Sequence, residues 1–124
     1  MAAPNIVDVS TIIGKTDTVA LTTTSATTLV SNPAASGKVF KINVIQIANV
    51  DGVNAADITI DVHSAASGGG TAYSLIATAS VGGNSSLVAL DKSTAIYLEE
   101  DRSITATAGT ANDLEVIVSY EEIS

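Results

Sequence analysis

The sequence predicts an all-β fold: a single-domain antiparallel β-sandwich, jelly-roll-like or immunoglobulin-like, of eight to ten short strands with an extended N-terminal segment. Three observations predict it. Apolar residues recur at every second position, as in Leu114, Val116, Val118 and Tyr120 or in Ile58, Ile60 and Val62, which is the period of a strand with one buried face. Turn signals recur about every 8 to 12 residues, the spacing of sandwiches and barrels. The apolar mass is Ala, Val, Ile and Leu, with aromatic residues at only 3%. Small and β-branched side chains suit closely packed sheets and make poor helices.

The elements follow in order. Pro4 fixes φ and lacks a donor, so it opens a β-prone run from Asn5 to Ile13 that Gly14 ends. Residues 1–15 therefore read as an extended arm and 16–124 as the sandwich domain. Thr16 to Val30 is rich in β-branched residues and reads as two strands with a break near Thr24-Ser25-Ala26. Asn32-Pro33 starts a turn that Gly37 closes. Lys38 to Val50 is the most apolar strand, with Phe40, Ile42 and Val44 on one face and Ile45 and Ile47 on the other, as expected of a central strand.

Asp51-Gly52 begins a loop running through Asn54. Ala56 to His63 alternates again, Ile58, Ile60 and Val62 inward and Asp57, Thr59, Asp61 and His63 outward. Small residues from Ser64 to Gly70 form a loop, followed by strands at Thr71–Val81 and Ser85–Leu90 around a Gly82-Gly83-Asn84 turn. Ile96-Tyr97-Leu98 is a short strand, and the acidic corner Glu99-Glu100-Asp101 turns the chain into a closing hairpin, Ile104–Ala108 with Leu114–Tyr120.

A chain of 124 residues buries roughly two thirds of its unfolded surface and supports a core without staples. None are offered: there is no cysteine, hence no disulfide and no thiolate metal site. Thirteen acidic against five basic residues give a net charge of -8, a surface that phosphate backbones repel. Lys15, Lys38, Lys41, Lys92 and Arg102 are scattered and form no basic patch in sequence. Met1 to Asn5 has no basic region and no apolar run behind it, so no secretory leader is expected, and no apolar segment approaches 18 residues. No nucleic-acid or membrane partner is expected.

Candidate chemistry is sparse. Gly14-Lys15-Thr16 lacks the glycine five residues earlier and the following helix that a phosphate loop requires. Gly68-Gly69-Gly70 has no strand-to-helix context and reads as a loop. Asp57, Asp61 and His63 share a strand face, yet successive same-face positions lie about 7 Å apart, too far for one ion without other ligands. That face reads as solvated or as an interface, with His63 able to act as a pH-sensitive contact between subunits. Glu99-Glu100-Asp101 could gather calcium, but the 12-residue calcium loop pattern is missing. No G-x-S-x-G occurs, and a catalytic triad would have to use the lone His63 as base. Asn84-Ser85-Ser86 matches a glycosylation acceptor without a leader to accompany it. No catalytic residue, metal site or cofactor is expected.

Several segments together resemble the small β-sandwich virion proteins of tailed bacteriophages, especially cyanophages. They are Leu21-Thr22-Thr23-Thr24, Thr27-Thr28-Leu29-Val30, Pro33 to Ile42, Ile47-Ala48-Asn49, Asp57-Ile58-Thr59-Ile60, Ala72-Tyr73, Ile96 to Ile104 and Val118 to Ile123. The resemblance covers nearly the whole chain from about Thr18 and rests on pattern positions of a fold. It departs at the corner, where many such proteins carry glycine before the aspartate and this chain has Glu100.

The resemblance implies a non-enzymatic virion structural protein with no active site to carry over. Within that class the leading expectation is a capsid decoration or cement protein, a homo-oligomer bound to the major capsid protein on virions assembled in the host cytoplasm. Ile6, Val7, Val9, Ile12 and Ile13 would be the arm's anchors on a neighbour. The alternative is a neck, tail or fibre component with a host-adhesion role, for which Tyr73, Tyr97 and Tyr120 are the only tyrosines available as a platform.

Overall fold

The computed structural model describes residues 7–124. Nine strands form: β1 (Ile12–Leu21), β2 (Thr27–Asn32), β3 (Val39–Asn49), β4 (Ala56–His63), β5 (Ala72–Val81), β6 (Ser86–Leu90), β7 (Ile96–Leu98), β8 (Arg102–Ala108) and β9 (Leu114–Ile123). Single 3-10 turns occur at Ala66–Gly68 and Lys92–Thr94. One sheet runs β1-β9-β3-β6, with β7 also paired to β3, and the other runs β2-β8-β4-β5.

The pairing explains the shape. β1 pairs β9, β2 pairs β8, β3 pairs β6 and β7, and β4 pairs β5, all antiparallel. That is one long hairpin doubled back at the β4–β5 connection. Rolling it sets β9 beside β3 and β8 beside β4, and the result is two facing sheets. This is jelly-roll topology. An immunoglobulin sandwich would group its strands differently, so the jelly-roll alternative holds. The expected closing hairpin does not: β8 and β9 lie in different sheets, joined by a crossing over residues 109–113.

Both inner faces are aliphatic. Leu21, Ile42, Ile45, Ile47, Leu114, Val116 and Val118 from one sheet meet Ile58, Ile60, Ile104, Ala106 and Ala108 from the other, each at most 1% exposed. Burying one such isoleucine or leucine contributes about 1.5–3 kcal/mol. Phe40 and Tyr120 supply an aromatic contact at one margin, with centroids 5.4 Å apart.

β3 departs from the simple alternation. Its register against β9 jumps between Ile42 and Val44, leaving Asn43 unpaired with β9 in a bulge. One extra residue reverses side-chain parity. Phe40, Ile42, Ile45 and Ile47 therefore all face inward, and Val44 points out with its partner Ser119. The strand looked apolar on both faces because it changes phase. β1 also differs from expectation: it runs unbroken through Gly14, held in register from Ile12↔Ile123 to Leu21↔Leu114.

Two buried asparagines tie the ends of the sandwich. At one end Asn32, fully buried, donates to the carbonyls of Lys38 and Leu98 and accepts from the Ser36 hydroxyl. At the other, Asn49 donates to the carbonyls of Asn54 and Val81 and accepts the N–H of Asp51. A side-chain amide in each place satisfies one carbonyl at a strand end and one in the adjoining loop.

Candidate interaction surface

Several of the polar residues that the sequence offers for chemistry, His63, Asp61 and Asp101 among them, have structural partners. The outward face of β4 is as expected, but His63 is not solvated. It is 8% exposed, with Nδ1 3.2 Å from the Gly69 carbonyl and Nε2 2.8 Å from Thr105 Oγ1. A carbonyl only accepts, so Nδ1 carries a proton. The 64–71 loop folds over the outer face of its own sheet: Gly68 N–H donates to Ser103 Oγ, Ser67 N–H to Ser31 Oγ, and Ser103 Oγ–H to the Ala65 carbonyl. Gly68 and Gly70 have φ of 72° and 67°. A side chain on Gly70 would also collide with Ser64 Oγ, which is why glycine recurs here.

Asp61 accepts from the Ser74 hydroxyl, and Thr59 accepts the Thr78 N–H. Asp101 of the acidic corner accepts the Ala66 N–H at 3.0 Å. Both carboxylate oxygens of Glu100 are shielded from solvent without a hydrogen-bond partner. Among the described residues no three His, Asp or Glu side chains gather as a metal site. None of their helices is long and apolar enough to cross a membrane.

If His63 clamps this loop, His63→Ala should cost about 1–3 kcal/mol by leaving a buried carbonyl and hydroxyl unpaired. Limited proteolysis should then cut faster between Gly68 and Gly70. Unchanged cleavage and an unchanged denaturation midpoint would show that the loop is held without it.

Several exposed apolar residues and a depression lie on the sheet that contains β1. By register its outer face carries Ile12, Gly14, Thr16, Thr18 and Ala20 beside Ile123, Glu121, Ser119, Ile117 and Glu115. A shallow depression of about 530 Å³ lies there, lined by Thr18, Ala20, Gln46, Ala48, Glu115 and Ile117 among others. Ile117, Val88 and Tyr97 are about half exposed on the same side of the sheet. At the inner side of β1, Glu122 bridges Lys15 at 2.9 Å and Lys38 at hydrogen-bond distance, while Tyr120 donates its hydroxyl to Asp17 at 2.9 Å.

These contacts set the local electrostatics. Hydrogen bonds from Lys38 and Lys15 hold the Glu122 carboxyl below its ordinary 4.5, and the bond to Glu122 raises Lys15. Burial, then the bond to Asp17, pushes Tyr120 up to about 12. A carboxyl lowered by folding adds stability that is complete above its ordinary value and disappears as pH falls through the lowered one. Acid titration of unfolding should therefore show stability falling from about pH 4.5 downward. Glu122→Gln should flatten that limb while Asp51 and Asp91, also lowered by loop hydrogen bonds, keep part of it. An unaltered limb would mean the triad contributes nothing.

Residues 12–15 of the expected arm lie in β1 instead. Ser10 and Thr11 both donate to the Ser124 carbonyl, and Ile12, Ile13 and Lys15 belong to β1. Ile12 is 57% and Ile13 47% exposed, on opposite faces of the sheet, so they do not form one anchor row. Val7 is exposed and Val9 half-buried; Ile6 lies outside the described residues. Nothing in the sequence alone marked Asn32, Asn49 or the Lys15–Glu122–Lys38 triad, because each joins positions far apart in the chain.

No family model matches this chain, and no curated protein does. Among solved structures it is similar to a Bacillus endospore appendage, described as one of a novel family of disulfide-linked pili, at 19% identity. The match covers 91% of this chain and 88% of that one, with a TM-score of 0.47. This chain has no cysteine with which to form such links.

Proposed function

We propose that this protein is a non-enzymatic structural component of a tailed-phage particle, a head decoration protein that binds the capsid surface and ties neighbouring subunits together. What chiefly supports the reading is how the polar side chains are used. His63, Asp51, Asp61, Asp91 and Asp101 all bond to turns, loops or neighbouring strands, which is the economy of a scaffold. The residue-level resemblance from Thr18 to Ile123 supports the same class. The fold alone would not, since jelly rolls host many functions.

The mechanism is additive. A surface contact of standard size repeated over a shell gives strong total attachment from modest individual affinity. The partner surface is the major capsid protein, met through residues 1–11 and the apolar outer face around Ile117 and Val88. Deleting residues 1–11 should lower occupancy on particles; full occupancy after deletion removes that segment from the mechanism.

Exposure of Tyr73, at 65%, and Tyr97, at 49%, favours the second reading, a neck, tail or fibre component with an adhesive role. Stoichiometry by quantitative mass spectrometry of purified particles separates the two. Copy number scaling with capsid subunits supports decoration, whereas a single ring's worth supports neck or tail.

A further inference from the structure

The backbone at the outer edge of β1 has a property that its composition hides. β1 and β5 are the ten-residue strands at sheet edges. β5 is interrupted by register shifts and by Thr78 at a φ of 50°, irregularities that discourage edge pairing. β1 has no such interruption over its whole length, and among the described residues no strand covers its outer side.

Hydrogen-bond direction along β1 can be read from its start. Thr11 and Ser124 exchange both N–H···O bonds, so Thr11 is a hydrogen-bonded position toward β9. Alternation then directs Ile13, Lys15, Asp17, Val19 and Leu21 to β9 as well. The N–H and C=O groups of Ile12, Gly14, Thr16, Thr18 and Ala20 point the other way, to the open edge.

We propose that this edge pairs with the same edge of a second copy, antiparallel about a two-fold axis through Thr16, so that two sheets become one. The register follows from charge. With Thr16 opposite Thr16, Lys15 of each copy faces Asp17 of the other, Ile13 faces Val19, Gly14 faces Thr18 and Ile12 faces Ala20. The outward-pointing backbone groups meet in hydrogen-bonded pairs, and Lys15 and Asp17 fall at the closer, non-hydrogen-bonded positions.

Sliding by one pleat either way centres the axis on Lys15 or Asp17 and sets like charges against each other. Sliding further opposes Lys15 to Ile13 or Leu21 and Asp17 to Thr11 or Val19, so the ion pairs are lost. Lysine and inward-pointing charge ordinarily protect an edge from stray strands. Here they reject other strands and admit a copy of this one, which is specificity by selective repulsion. The pairing also extends the ion pairs from Lys38 through Glu122 and Lys15 to Asp17 of the second copy. It needs no assumption about the particle or its capsid partner.

The absence of cysteine makes the test clean. In the full chain, Thr16→Cys, Gly14→Cys and Thr18→Cys are made singly, checked for folding by circular dichroism, and oxidised to disulfides. Light scattering after gel filtration gives the wild-type mass. The expected results are twice the 12.4 kDa chain mass for wild type and rapid covalent dimer from Thr16→Cys alone. Cysteines at 14 or 18 would sit about 13 Å from their own copies, beyond disulfide reach, and should link only when the two variants are mixed. A monomeric wild type at high concentration overturns the proposal. So does a dimer in which position 14 or 18 cross-links to itself, or in which Thr16→Cys does not.

Discussion

Ile45→Ala is expected to destabilise the protein by about 3–5 kcal/mol, the range for truncating a fully buried isoleucine in a core that cannot collapse around the gap. Ile45 is 0% exposed and sits where β3 resumes after its bulge, opposite Leu90 on one side and Val118 on the other. The adjacent truncation, Val44→Ala, should cost under about 1 kcal/mol, because Val44 faces out beside Ser119. Chemical denaturation of the two variants decides the point. Without the bulge, simple alternation would carry Ile42 inward, Asn43 outward, Val44 inward and Ile45 outward, so the order of the two costs would reverse. Against a total stability of roughly 5–15 kcal/mol, the first substitution should be plain at once.

The second large effect belongs to the two asparagines. Asn32→Ala and Asn49→Ala should each cost about 1–3 kcal/mol, because each strips two carbonyls of their donor, one in a buried bond and one in a part-buried bond. They stand at opposite ends of the sandwich, one beside the 33–38 loop and the other beside the 50–55 loop. Their costs in a double variant should add within about 0.5 kcal/mol. Strong coupling between them in denaturation would mean that the ends are not independently tied.

Much of the fold could be read from local pattern. The inward runs Ile58-Ile60-Val62, Ile104-Ala106-Ala108 and Leu114-Val116-Val118 fall as their alternation dictates, since the period of two belongs to each strand by itself. What could not be read depends on a second strand. The bulge at Asn43 exists only relative to β9, and Gly14 does not break β1 because ten residues of β9 hold it in register. Likewise β8 and β9 resemble a hairpin in sequence, yet the rolling of the whole chain sends them to different sheets.

The polar side chains follow the same division. Asn32-Pro33 announces a turn, but not that the Asn32 amide reaches Leu98, 66 residues away. The outward placement of His63 follows from alternation; its burial depends on the 64–71 loop returning across Thr105. The edge register of β1 is legible in hindsight from Lys15 and Asp17 flanking Thr16, a symmetry with meaning only once β1 is known to be an edge.

The central claim, a scaffold that decorates a capsid, is tested most directly by a density map of intact particles carrying this protein. The expected result is jelly-roll density on the outer face of the shell, repeated with the capsid lattice, with the sheet containing β1 toward its neighbours. Density confined to the neck, tail or fibres would contradict it.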